Sequence, residues 1–155
     1  CCEALFKILI NDAKRISIDV LCSPDKQEFT RITFYMNGGF NNRFRSVVAA
    51  ATDANHMQPT SNDSVVTIDS SNSSILSDVS IRPPESASIR LHSDEILDVR
   101  VFIDRSVVEV FIDDQQCLAV RVYPSLVAST GMSVIGLGGT AELVSLDIWE
   151  MRSIY

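Results

Sequence analysis

The chain has 155 residues, 46% of them hydrophobic, and a formal net charge of −7. That is about one domain's worth of chain with a real core. No apolar run reaches the roughly 20 residues of a membrane helix, and no basic cluster is present to hold a phosphate backbone. Membrane and nucleic acid are therefore not expected partners, whereas a neutral ligand such as a sugar suits the charge.

The first residues, Cys1 to Ile10, lack a basic region followed by an apolar stretch and a small-residue cleavage site, so no signal peptide is read. The apolar segments that follow are short, β-branched and bounded by Gly, Pro, Asn, Asp or Ser, which predicts strands. In chain order they fall near Leu5–Ile10, Ile16–Leu21, Arg31–Met36, Val65–Asp69, Ser88–Leu91, Leu97–Ile103, Val107–Ile112, Leu118–Tyr123, Met132–Leu137 and Ala141–Glu150. Between the third and fourth, residues 37–64 read as a long irregular loop rich in Asn, Ser and Gly, with one or two helical turns possible over Arg45–Ala54. A second turn-rich stretch from Ser70 to Ser88 contains Pro83-Pro84. Many short strands without an internal repeat predict one all-β domain over 1–155, a two-sheet antiparallel β-sandwich of the concanavalin-like jelly-roll type.

Cys1, Cys2, Cys22 and Cys117 show no metal-site spacing, and His56 and His92 lie far from them in sequence, so neither a metal nor a cofactor is expected. The cysteines leave two alternatives, a Cys22–Cys117 disulfide or four thiols. Asn62-Asp63-Ser64 and Asn72-Ser73-Ser74 fit the glycosylation acceptor, which matters only in a secreted eukaryotic protein.

The segment Leu97 to Asp114 is the most informative. Leu97, Val99, Val101 and Ile103 share one face by alternation, as do Val108, Val110 and Ile112. Placing the turn at Arg105-Ser106 sets Ile103 against Val108, Val101 against Val110 and Val99 against Ile112, so every pair on that face is apolar. A four-residue loop, Asp104 to Val107, keeps this register and suits Asp104 better than a two-residue Arg-Ser turn. A three-residue loop shifts it by one and places Glu109 among the valines. The opposite face carries Arg100, Phe102, Glu109 and Phe111, with Arg100 and Glu109 as diagonal neighbours able to pair. A further turn at Asp113 to Gln116 adds a third strand ending at Pro124.

Arg100-Val101-Phe102-Ile103-Asp104-Arg105-Ser106-Val107-Val108-Glu109-Val110-Phe111, followed by Arg121-Val122-Tyr123-Pro124, resembles a hallmark of glycoside hydrolase family 32, the invertase, inulinase and levanase relatives. Val66 to Ser74 is similar to that family's strand and turn "T-V-D-R-S-x-S-S/G", departing at Ser70, where a basic residue is common. Leu146 to Tyr155 resembles the segment with which these enzymes end. The resemblance implies a C-terminal β-sandwich beside a catalytic five-bladed propeller. The propeller's Asp nucleophile, Glu acid/base and stabilising Asp lie in motifs of the "NDPNG", "EC" and "RDP" type. Asn11-Asp12 and Asn62-Asp63 are not followed by Pro, no Glu precedes a Cys, and Ile81-Arg82-Pro83-Pro84 lacks the Asp. No catalytic residue carries over, and the propeller is absent from this chain.

The remaining candidates are few. Glu109 alone is not a glycosidase site, because both mechanisms need two carboxylates. His92-Ser93-Asp94 is a sequence neighbourhood, not a triad. Gly136-Leu137-Gly138-Gly139 lacks the phosphate-loop Lys and reads as a strand turn. Trp149 and Tyr35 are the candidates for carbohydrate contact, with Phe40 and Phe44 beside Tyr35 in sequence. The resemblance implies a non-catalytic accessory module of a β-fructofuranosidase-like enzyme acting on sucrose or fructans, with the catalytic propeller as partner and homo-oligomer contacts possible. An independent lectin-like carbohydrate-binding module and a protein-interaction domain are the alternatives. Localisation is not fixed by the sequence, with secretion the favoured expectation.

Overall fold

A computed structural model describes residues 1–37 and 64–152. Those residues form ten strands: β1 (Cys2–Leu9), β2 (Arg15–Cys22), β3 (Thr30–Tyr35), β4 (Ser64–Asp69), β5 (Glu85–Ile89), β6 (Ile96–Asp104), β7 (Val107–Ile112), β8 (Gln116–Arg121), β9 (Gly131–Leu137) and β10 (Glu142–Glu150). They build two antiparallel five-stranded sheets, ordered β10-β1-β6-β7-β8 (sheet A) and β5-β4-β3-β2-β9 (sheet B). The expected β-sandwich is what the chain forms. Of the 37–64 loop, Asn37 and Ser64 alone are described. The Asn37 amide donates to Ser64 Oγ at 3.1 Å, and Ser64 already belongs to β4. Phe40, Phe44 and the possible turns over Arg45–Ala54 lie outside the described residues.

Period-two alternation decides which side of each strand is buried. From sheet A, Phe6, Ile8, Leu97, Val99, Val101, Val108, Val110 and Ile112 point inward. Ile16, Ile18, Val20, Ile32, Phe34, Val66 and Ile68 meet them from sheet B, and all are essentially inaccessible. The central hairpin has the predicted register, with Ile103 opposite Val108, Val101 opposite Val110 and Val99 opposite Ile112.

Three details differ from expectation. The hairpin turn is the two-residue Arg105-Ser106, because Asp104 pairs directly with Val107, and Arg105 accepts a φ of 52°. β5 starts three residues before the predicted strand, immediately after Pro84, and sets Ala87 against Val66 and Ile89 against Ser64. Arg100 pairs with Glu3 on β1 at 3.3 Å instead of with Glu109. The cause of this last difference lies on the outer face of the hairpin. Sheet twist shortens one of the two diagonals between strands, and Phe102 and Phe111 occupy a diagonal edge to face, with centroids 5.7 Å apart. Of the two alternatives for the cysteines, four thiols is the one found. Cys22 is buried at the end of β2, whereas Cys117, opposite Phe111, faces outward from the other sheet, so no bond joins them.

Candidate functional site

Each sheet has an outer face, and these are the surfaces open to a ligand. On sheet A the ladder aligns Trp149, Glu3, Phe102 and Glu109 in one row and Asp147, Leu5, Arg100 and Phe111 in the next. Leu5, Arg100, Phe102, Phe111 and Asp113 line a groove of about 660 Å³. Aromatic edges beside a guanidinium and carboxylates are a chemistry that suits hydroxyl-rich ligands. Asp113 sits at the groove's end and accepts the Asp98 amide at 2.8 Å. Burial pushes its carboxyl above the ordinary range, the Asp98 amide opposes this, and the nearby acids Asp98, Glu95 and Asp114 add to the rise.

On sheet B the outer face aligns Leu137, Arg15, Tyr35 and Val65, then Ile135, Ser17, Thr33 and Thr67, then Ser133, Asp19, Arg31 and Asp69. Ser17 and Thr33 share a hydrogen bond of 3.2 Å. Asp19 is fully buried although it points outward. Arg31 grips it with Nε and Nη2 at 2.7 and 3.0 Å, and Lys26 Nζ lies 3.3 Å away. Burial alone would raise the Asp19 carboxyl, but the Arg31 hydrogen bonds and charge, then Lys26, outweigh it and hold it below the ordinary range. Arg31 also stacks on the Phe29 ring, 4.8 Å from its centroid.

Trp149 and Tyr35 therefore stand on opposite outer faces, 47% and 38% exposed, and do not form one platform. Glu109 projects from the sheet A face, and among the described residues no cation lies within ion-pair distance of it. His92 is exposed at the start of a turn closed by the Glu95 amide donating to its carbonyl. Gly138 and Gly139 make the β9–β10 turn as read, and a Cβ on Gly139 would overlap the Asp12 carbonyl. Of the two glycosylation triplets, Asn72 is exposed and Asn62 lies outside the described residues. Among the described residues no three His, Cys, Asp or Glu side chains gather around a metal position.

The residue that sequence reading passed over is Glu28. It is fully buried in the β2–β3 connection. Its carboxylate accepts the Ile75, Ser125 and Leu126 amides at 2.9 to 3.1 Å and the Ser125 and Ser129 hydroxyls at 2.6 Å. Burial pushes its pKa up, yet these donors, the Ser125 and Ser129 hydroxyls first, bring it down to about 2. Such a carboxylate is saturated with donors, so it ties three loops together and has no lone pair left for chemistry.

Among the described residues the interior carboxylates Glu28 and Asp19 are thus held by structural partners. The model described as "Glycosyl hydrolases family 32 C terminal" matches residues 1–150. The chain belongs to glycoside hydrolase family 32. It is the C-terminal module of that family, the part that the Arg100–Phe111 hairpin resembles. No curated protein sequence matches it. Among solved structures, an exo-inulinase from Aspergillus awamori is similar at a TM-score of 0.69 and 19% identity, covering 99% of this chain and 25% of that one. Fructan 1-exohydrolase IIa from Cichorium intybus, in complex with 1-kestose, matches at 0.69 and 15%, covering 97% of this chain and 31% of that one. An ancestral congerin matches at 0.52 and 12%, covering 96% of this chain and 90% of that one. At these identities the likeness is one of fold. The family 32 module spans between a quarter and a third of the length of the two enzymes.

Proposed function

We propose that this module is the non-catalytic accessory part of a β-fructofuranosidase-like enzyme acting on sucrose or fructans, and that it supports a catalytic domain it does not itself contain. The observation that carries this reading is the match of residues 1–150 to the C-terminal part of the family. The side chains favour it as well, because Glu28 and Asp19 are each consumed by structural partners. Hydrolysis of a glycoside needs two free carboxyl groups facing one bond. The test is an assay of the purified 155-residue chain on sucrose, inulin and levan. No fructose release is expected, and turnover that disappears in Glu109→Gln would overturn the reading.

A second reading has one observation in its favour, the groove on sheet A with its Phe102–Phe111 pair and Arg100. It would make the chain a sugar-binding module. Calorimetric titration with 1-kestose and inulin decides it: binding tighter than millimolar, lost in Phe111→Ala, supports it. Binding lost instead in Trp149→Ala alone moves the contact to the β10 edge of the same face, and binding lost in Tyr35→Ala moves it to sheet B.

A further inference from the structure

Besides its two faces the sandwich has two ends, and they are finished differently. At one end Glu28 gathers the donors of the surrounding connections, so the polar groups there are consumed. At the other end three segments meet around a pocket of about 470 Å³: residues 10–14 between β1 and β2, residues 36–37 after β3, and residues 91–94 between β5 and β6.

The backbone around this pocket is pinned. The Ala13 amide donates to the Thr140 carbonyl, the Lys14 amide to the Leu137 carbonyl and the Met36 amide to the Lys14 carbonyl, each at 3.0 Å. Ser64 Oγ holds the Asn37 amide, and the Glu95 amide closes its turn on the His92 carbonyl. Thr140 fixes the Asp12 carboxylate with its amide and its hydroxyl, both at 2.7 Å. The side chains are the opposite case. Asn11, Lys14, Asn37, His92, Ser93 and Asp94 all line the pocket, and among the described residues none of these side chains makes a hydrogen bond or an ion pair. Asn11 and Asn37 stand in left-handed conformations, φ 49° and 51°, which asparagine accepts more readily than most residues. Fixed walls carrying unspent polar groups suit a ligand, because little is left to order when it arrives.

The lining selects the ligand. Ile10 and Ala13 are buried beneath the pocket, and Met36 and Leu91 are partly buried beside them. An apolar molecule would leave the polar rim without partners. An anion would face Asp12 and Asp94 as well as Lys14 and His92. Among the described residues no three ligating side chains gather for a metal ion. A neutral saccharide meets every condition. Its hydroxyls both donate and accept, as the Asn11 and Asn37 amides do, and they match the Lys14 donor and the Asp94 acceptor. Its C–H groups match the apolar floor, and the volume lies within the roughly 300–1,000 Å³ of small-molecule sites.

We propose that this end pocket binds the end of a neutral saccharide chain, with Asn11, Asn37 and Asp94 holding hydroxyls and Ile10, Met36 and Leu91 receiving the apolar side of the ring. The pocket shares no lining residue with the groove on sheet A, so it does not depend on the sugar-binding reading of that face.

The experiment is a titration of the 155-residue chain with sucrose, 1-kestose and maltotriose, followed by amide NMR. At least one of the three is expected to give saturable shifts confined to residues 10–14, 36–37 and 91–95. Asp94→Ala removes a charged acceptor and should raise the Kd of that sugar at least roughly tenfold. Asn11→Gly removes the side-chain amide, keeps the left-handed backbone and should raise it roughly three- to tenfold. Phe111→Ala, in the sheet A groove, should leave it unchanged. No saturable shift with any of the three sugars, shifts confined to either outer face, or an unchanged Kd in Asp94→Ala overturns the proposal. So does displacement of the sugar by inorganic phosphate, which would make the pocket an anion site. Where Asn11→Gly disturbs the fold, seen as shifts throughout the spectrum, Asp94→Ala decides alone.

Discussion

Replacing Glu28 with Gln tests whether one buried carboxylate holds the three loops at its end of the sandwich. Its folded pKa of about 2 against an ordinary 4.5 is a difference near 2.5, or about 3 kcal/mol of stability at neutral pH. The variant also turns one acceptor oxygen into an NH2 group facing protein donors. Ser125 and Ser129 can rotate their hydroxyls to accept, but Ile75, Ser125 and Leu126 present fixed amides. At least one amide stays unpaired, at a cost of about 1–3 kcal/mol. The two effects overlap, and the expected total is about 3–5 kcal/mol at pH 7. The folded pKa is depressed, so the carboxylate's contribution is complete above about 4.5 and is lost as the pH falls towards about 2. Urea unfolding of both proteins, followed by circular dichroism at pH 7 and pH 3, should show the gap between them narrowing by about 2 kcal/mol at the lower pH. A penalty below about 1 kcal/mol, or one of equal size at both pH values, refutes the reasoning.

Three further outcomes follow from single residues. Thr30 Oγ1 is buried and has no hydrogen-bond partner among the described residues, so Thr30→Val should stabilise the fold by about 1 kcal/mol and raise the melting temperature. Arg105 holds a left-handed φ of 52° in the two-residue turn, and Arg105→Asn should gain about 0.5–1 kcal/mol in the same unfolding assay. With four thiols, a disulfide-exchange reagent should modify the exposed Cys1 and Cys117 in the native protein and reach the buried Cys22 only after unfolding. Two reactive thiols fewer than expected on denaturation would reinstate the disulfide.

The strands were legible because alternation is a local signal. Val99, Val101, Val108 and Val110 each declare an inward side, and the two sides match in only one register. The Arg100 partner was not legible, since the competing groups, Glu3 on β1 and the Phe102–Phe111 diagonal, are fixed by strand order and twist rather than by the hairpin's own sequence. Asp19 gave a partial signal. It interrupts the apolar alternation of Ile16, Ile18 and Val20 on the outward side, and hairpin pairing of β2 with β3 sets it opposite Arg31. Glu28 gave none, because its donors come from residues 47 to 101 positions away. Trp149 and Tyr35 look equivalent as aromatic residues in sequence, and only the sheet order puts them on opposite faces.

Sheet order also explains how one motif can name a family without performing its reaction. The Arg100–Phe111 hairpin crosses the middle of sheet A, with β1 on one side and β8 on the other. Four of its twelve side chains, Val101, Ile103, Val108 and Val110, are spent on the core, and of the rest Arg100 is held by Glu3 and Phe102 by Phe111. These packing and pairing partners are requirements of the fold and not of catalysis. Catalytic carboxylates need the opposite: free lone pairs, a substrate-shaped cavity and a second acid across the scissile bond. Glu109 has the first of these at most, since it stands on a sheet surface with its direct neighbours Phe102 and Ala119. That is the arrangement expected of the accessory role proposed above.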